Sequence, residues 1–299
     1  MTTWWRAGGV CTAALLASSS AGSCSLAFEL DRQQCAENAD CDQFANAECK
    51  NNLCVEIAEV GGAGGAGGSE PNDPKWACLG DVMPPDPGGD MIIHTYRFEL
   101  ATASPGTVPA NLMIDLCLAI DTLCAGPIDS PVPDSNGTIV LELGVSEDAF
   151  LTVTSTETMP TLVFLQQPIV IPQSEKVIRM IGMEAFEGLV GAAGQTWDQT
   201  RGAAVVITNN CLDERAAGVR VESLSGDGDT VAFHFKGALP DPSSLQTDEQ
   251  GAAGFLNMPA GVAGVDTYRA STDEFIGSGS FQSRAGTISY LPIAPTAAE

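Results

Sequence analysis

From residue 94 onward, apolar and polar residues alternate in short runs. In 94–100, Tyr96, Phe98 and Leu100 point one way and Thr95, Arg97 and Glu99 the other, the period of two expected of a half-buried strand. Leu112, Ile114 and Leu116 repeat the pattern, as do Ile139, Leu141 and Leu143. Runs at 150–154 and 162–165 complete a first set of strands. A second set opens at 204–208, apolar enough to be buried. It continues with 217–222 and with 231–236, where Val231, Phe233 and Phe235 alternate with Ala232, His234 and Lys236. Further runs lie at 265–268, 275–276 and 286–291. Between the sets, residues 173–200 break the alternation. There Met183, Phe186, Leu189 and Val190 recur at helical spacing, which predicts a short helix near 183–193 that Gly182, Gly188 and Gly191 weaken.

Turn residues separate these strands, and two of the turns are alike. Asp248-Glu249-Gln250-Gly251 begins a turn–strand–turn unit over 246–261 that ends at Pro259-Ala260-Gly261; Asp134-Ser135-Asn136-Gly137 begins a related unit over 133–144. In each, the Asp carboxylate can accept backbone N–H groups two residues on, and Gly supplies the positive φ. Short strands, regular turns and a repeated unit predict an all-β chain with two β-sandwich domains, over 75–172 and 202–299. A short helical connector over 173–201 would join them. Trp76 and Trp197 flank the domain starts and read as junction packing. Gly277-Ser278-Gly279-Ser280 reads as a turn, and lacks the Gly-x-Ser-x-Gly frame of a nucleophilic serine.

One family resemblance rests on the second domain. Ala217-Gly218-Val219, a strand, Thr247-Asp248-x-x-Gly251-x-x-Gly254-Phe255 and Pro259-x-Gly261 together resemble the carboxypeptidase regulatory-like, transthyretin-like β-sandwich. One extra residue separates Gly251 from the aromatic. In the first domain Pro133-Asp134 replaces Thr-Asp and Leu replaces the aromatic. The resemblance covers most of 202–299 and, less closely, 90–160. It implies a transthyretin-like sandwich and a role as an accessory module, without peptidase activity.

The N-terminal quarter is different in kind. Residues 1–23 read as an export signal: Trp4-Trp5-Arg6 carries one charge, and the apolar stretch that follows is too short to span a bilayer. Ser20-Ala21-Gly22-Ser23-Cys24 resembles the lipobox of bacterial lipoproteins, with Ala21 where Leu is usual; cleavage after Ala21 is the rival reading. Ten cysteines help to choose. Cys11 leaves with the signal, and a lipid on Cys24 leaves an even eight, whereas a free Cys24 leaves one thiol without a partner. Residues 24–55 form a small module with Cys35, Cys41, Cys49 and Cys54. A unit this short needs cross-links rather than a core. Of the three possible pairings, the interleaved Cys35–Cys49 and Cys41–Cys54 is favoured. Zinc is the rival, but no C-x2-C pair is present. Residues 56–74, with Gly61 to Gly68 almost all glycine, form a flexible spacer.

The remaining cysteines cross-link the sandwich half. Cys117 and Cys124 flank a six-residue segment that suits a loop between antiparallel strands, bringing the two within disulfide reach. By elimination Cys78 pairs with Cys211, tying the two domains. The rival joins Cys78 to Cys117 or Cys124.

Charge narrows the partners. There are 13 basic against 38 acidic residues, net −25. Nucleic acid is excluded as a partner, since phosphate neutralisation needs clustered Lys and Arg. Only His94 and His234 are present, in different domains; both read as solvent-facing strand positions, and neither belongs to a zinc-peptidase motif. Asp134, Asp227-Gly228-Asp229 and Asp248 read as turn carboxylates rather than calcium ligands. A Lys–Asn cross-link, as some neighbouring sandwich families form, has only Lys176 and Lys236 to draw on in the β-rich half.

The expectation is therefore an exported protein with no catalytic residues, metal or cofactor. A lipid on Cys24 anchors it in a bilayer at the outer membrane or cell surface, with secretion or a periplasmic location as the alternative. Its role is structural or interaction-mediating, with a protein or glycan as the partner on the surface; carbohydrate binding is the runner-up.

Overall fold

The computed structural model describes residues 73–80, 91–144, 148–165, 175–237 and 239–296 in full, and 47–50 and 53–56 as backbone. The expected signal peptide, Cys24, Cys35, Cys41 and the glycine-rich spacer lie outside the described residues. Of the small module, β1 (Ala47–Lys50) and β2 (Leu53–Glu56) pair antiparallel, with Cys49 opposite Cys54.

After a 3-10 turn over Pro74–Trp76 come β3 (Met91–Leu100), β4 (Met113–Leu118), β5 (Thr138–Gly144), β6 (Ala149–Thr154), β7 (Thr161–Phe164) and β8 (Lys176–Met180). Helix α1 (Met183–Ala192) follows, close to the expected bounds. The second half holds β9 (Gly202–Thr208), β10 (Val219–Ser223), β11 (Val231–Lys236), β12 (Leu239–Asp241), β13 (Ala252–Met258), β14 (Gly261–Arg269), β15 (Phe275–Ser283) and β16 (Ile288–Ile293). The fold is all-β, in sandwich layers.

The layers share a middle. An eight-stranded sheet runs β12-β11-β13-β9-β16-β7-β6-β4; three-stranded sheets β5-β3-β8 and β10-β14-β15 accompany it. One core joins β5-β3-β8 and α1 to one face of the large sheet, through Tyr96, Phe98, Ile178, Phe186, Val163, Ile207 and Tyr290. A second core joins β10-β14-β15 to the other face, through Val219, Val265, Phe281, Phe255, Val206 and Leu291. The two sandwiches thus have the large sheet in common, and β16 lies between β7 of the first segment and β9 of the second, parallel to both.

This explains the sequence of the middle strands. Every described side chain of β7 and β16 is buried, and β9 and β13 each leave one position half-buried. A strand covered on both faces reads as a continuous apolar run rather than an alternation. Phe150, Phe255 and Phe281 are each at most 2% exposed, and burial of an apolar side chain of this size contributes about 1.5–3 kcal/mol.

Pro292 sits in β16 without breaking it. Asn209 N donates to Ile293 O (2.8 Å) and Ile288 N to Pro160 O (3.0 Å). Residues 288, 290 and 292 therefore direct their amides toward β7, and 287 to 293 at odd numbers toward β9. Pairing with β7 ends at Tyr290 opposite Val163. The missing N–H of Pro292 thus falls where no strand needs it.

Three expectations are corrected. Gly277-Ser278-Gly279-Ser280 is not a turn but the middle of β15. A Cβ on Gly277 would stand 2.5 Å from Ala294 O, and one on Gly279 would stand 3.1 Å from Leu291, so the glycines let β15 close onto β16. The connector is not only helical: it opens with β8, where Ile178 and Met180 face the core and the strand pairs parallel to β3. Glu99, expected on the outer face with Arg97, is 2% exposed and ion-paired to Arg97 at 2.5 Å.

The two Asp-x-x-Gly turns have matching geometry. Asp134 Oδ1 accepts from Asn136 N and Thr138 N at 2.8 Å; Asp248 Oδ1 accepts from Gln250 N at 2.9 Å. Gly137 and Gly251 have φ of 74° and 60°. A Cβ on Gly251 would also stand 2.6 Å from Thr208 O and 2.8 Å from Ala216 N, whereas one on Gly218 (φ 74°) meets nothing within 4 Å. Gly218→Ala should therefore cost only the left-handed backbone strain of about 1–2 kcal/mol, and Gly251→Ala clearly more. Urea denaturation of both variants checks the order; equal losses would contradict it.

Candidate functional site

The cysteines of the sandwich half pair as Cys78–Cys211 and Cys117–Cys124, with Cα–Cα separations of 5.7 and 5.5 Å. The first bond does more than close a loop. Cys211 N donates to Lys75 O (2.9 Å), Trp76 and Leu79 pack on the second core, and Arg269 lies 5.5 Å from the Trp76 ring centre. Residues 73–80 are thereby clamped to the segment that follows β9. Trp197 packs edge-on against Phe186 at 5.1 Å. No aromatic ring among the described residues is fully exposed.

Both histidines are buried, contrary to the expectation. His94 is 2% exposed and stacks on Tyr96 with rings 2° from parallel. It shares its strand face with Tyr96 and Phe98, so it enters the core with them. His234 is 5% exposed; its face is covered by the segment after β12, where Ser244 O lies 2.9 Å from Nδ1. In each ring Nε2 has no hydrogen-bond partner among the described residues. The two occupy different sheets, and neither ring bonds to a carboxylate or hydroxyl among the described residues.

The turn carboxylates are spoken for. Asp227 accepts from Arg201 at 2.5 Å and from Asp229 N at 3.1 Å, which holds its carboxyl down to about 2. Arg201 thus supplies the positive charge at this turn. No group of His, Cys, Asp and Glu among the described residues is arranged to hold a metal. No helix of the described residues is long and apolar enough to cross a membrane.

Two hollows remain. Beneath α1 lies an apolar cavity of about 80 Å³, lined by Phe186, Leu189, Val190, Phe233 and Ile288 among others. Far larger is a cleft of about 1170 Å³ at the C-terminal ends of β9 and β16. It opens where β7 stops and β16 continues, so Val163, Tyr290 and Pro292 border it. One wall is β3 and β8, with Tyr96, Lys176 and Arg179. A second is the segment that Cys211 anchors, with Asn209, Asp213, Glu214 and Arg215. The third is the repeated turn, with Gln246, Asp248, Glu249 and Gln250.

Burial in this wall pushes Lys176 down to about 8, against the pull of Asp213, with Arg215 adding to the depression. Burial and the neighbouring Tyr290 raise the phenol of Tyr96. Arg215 Nη2 donates to Tyr290 Oη at 3.5 Å. Sequence reasoning missed this cleft. Asp248 to Gly251 stood out as a turn, but nothing in their spacing connects them with Lys176 or Arg215.

No family model matches the chain, and no curated protein matches it. Among solved structures it is similar to the Bacillus anthracis TIE protein, with 10% identity, a TM-score of 0.24, and coverage of 70% of this chain and 35% of that one. A Streptococcal ancillary pilin gives 10% identity and a TM-score of 0.22 over 68% of each chain. The shaft pilin SpaA from Lactobacillus rhamnosus GG gives 8% and 0.20 over 70% of this chain and 99% of its own. This chain thus spans about a third of the TIE protein, and TM-scores this low carry no statement of role.

The histidines make stability depend on pH. Burial lowers both folded-state pKa values, Lys176 adding to the effect at His94. Below about pH 6.5 the unfolded chain takes up protons that the folded chain refuses. Stability from the neutral rings is therefore present above that pH and lost as pH falls. Between about pH 7 and pH 5, His94→Gln and His234→Gln should each flatten this decline, by up to about 1.4 kcal/mol per pH unit. Urea denaturation across that range checks it; slopes unchanged from wild type would contradict it.

Proposed function

We propose that this is an exported, non-catalytic surface protein whose β-rich body is a rigid structural or interaction-mediating unit. A lipid on Cys24 would anchor it, the glycine-rich residues 61–68 would space it from the bilayer, and the small cysteine module would lie between. The observation that carries this reading is the Cys78–Cys211 clamp. Disulfides persist in oxidising compartments outside the cytoplasm. This one also fixes the point at which the N-terminal arm leaves the folded body, as a spacer-borne unit needs. In the chain-entropy account, a loop closed over a separation of 133 residues stabilises the fold by about 4–5 kcal/mol.

The resemblance of 202–299 to the carboxypeptidase regulatory-like sandwich fits an accessory role, and the burial of His94 and His234 in different sheets fits a body without catalysis. Glycan recognition by stacking on an aromatic row has no support, because Trp76 and Trp197 are packed inward.

Detergent phase partitioning of the full-length protein expressed with its own signal tests the anchor. Wild type should enter the detergent phase and Cys24→Ser should stay aqueous. Aqueous partitioning of both would overturn the anchored reading.

A further inference from the structure

One sheet edge of this fold is left open. We propose that β5 pairs antiparallel with β5 of a second copy of this chain, so that two β5-β3-β8 sheets join into one six-stranded sheet across a two-fold axis. This names a partner for the interaction-mediating role and rests on that reading, but not on the lipid anchor.

The register fixes which backbone groups of β5 face outward. Phe98 N donates to Gly137 O (3.0 Å). The hydrogen-bonded pairs therefore continue at every second residue: Tyr96 with Ile139, His94 with Leu141, and Ile92 with Leu143. Thr138, Val140 and Glu142 direct their N–H and C=O groups away from β3. Thr138 bears this out, because its N donates to Asp134 Oδ1 (2.8 Å) and its O accepts from Asp134 N (3.0 Å). At Val140 and Glu142 the outward groups have no partner among the described residues.

Open edges invite pairing, and proteins close them with charges, proline, short strands or covering chain. The other edges of the three larger sheets are closed in these ways. β4 is covered at Leu116, whose N donates to Asp129 O and whose O accepts from Ile128 N, both at 2.8 Å. β12 has three residues, Pro240 among them. β8 carries Lys176 and Arg179. β10 carries Arg220 and Glu222, and Thr247 N donates to its Val219 O. On β15, Thr296 N donates to Ile276 O and Ser289 Oγ to Gln282 O. β5 has seven residues and no Pro, Lys or Arg, and Val140 is 62% exposed.

The spacing of the free groups suits a copy of the same strand. With Leu141 opposite Leu141 of the second copy, Val140 faces Glu142 of that copy and Glu142 faces its Val140. Each of these facing pairs exchanges two backbone hydrogen bonds. A register centred on Val140 would instead set Glu142 against Thr138, whose groups Asp134 already holds. One centred on Glu142 would set two carboxylates face to face, which is unfavourable. The central register avoids both, in a chain of net charge −25. The side chains of Val140 and Glu142 lie on the exposed face, so pairing leaves Ile139, Leu141 and Leu143 in the core.

Sedimentation equilibrium of the full chain, exported with Cys24→Ser so that no lipid contributes, tests the pairing. This parent should show a monomer–dimer equilibrium. Val140→Asp sets a carboxylate opposite each Glu142 and should raise the dissociation constant by about 2- to 30-fold. Val140→Lys sets an ammonium group there and should lower it by a similar factor. Glu142→Pro removes only an outward N–H, and should abolish the dimer while keeping a cooperative melting transition near that of the parent. A parent that stays monomeric up to about 1 mM, a Val140→Asp variant that associates like the parent, or a Val140→Lys variant that associates more weakly would each overturn the proposal. Every variant here lacks Cys24, so failure of the pairing is distinct from failure of the anchored reading.

Discussion

The structure depends on a sheet that must be apolar on both faces. Strands β7, β9, β13 and β16 carry one core against β3, β5, β8 and α1, and another against β10, β14 and β15. Each outer sheet has three strands and one apolar face to bury. Each finds its cover on the same middle layer. The last strand, β16, completes that layer by sliding between β7 and β9. Residues 127 positions apart in sequence, Thr161 and Ile288, become neighbours there.

Two consequences follow for the surface. Because β16 outruns β7, the sheet parts at Tyr290 and Pro292, and that gap is the cleft. Because Cys78 is bonded to Cys211, residues 73–80 meet the body beside the segment that supplies Asp213 and Arg215. The anchor of residues 73–80 and the wall of the cleft are thus one short stretch of chain. Loops held on a rigid sheet are where recognition commonly sits.

Much of this was legible in the sequence. The continuous apolar run at 204–208 and the alternation at 139–143 show two-sided and one-sided burial directly. Gly137 and Gly251 were legible because only a turn of that kind needs Asp three residues before Gly. The burial of His94 was legible too: a strict period of two puts it with Tyr96 and Phe98, and the expectation of exposure overlooked that parity. His234 was not, because its cover is the segment around Ser244, a contact that period cannot reveal. The sharing of the middle sheet was also hidden, since parallel pairing of β16 with β7 and β9 is decided by tertiary packing. Glycines at 277 and 279 looked like a turn because close approach to β16 demands the same residue as a positive φ. The cleft drew on segments scattered from residue 96 to residue 292, with no spacing to mark it.

If one sheet serves both halves, they cannot unfold apart. Hydrogen exchange read by mass spectrometry at rising urea concentration follows each half separately. Slow amides of β6 and β7 and those of β9, β13 and β16 should converge on one opening free energy with one urea dependence. Loss of protection in 91–165 while 202–296 stays protected, or the reverse, would contradict the shared sheet.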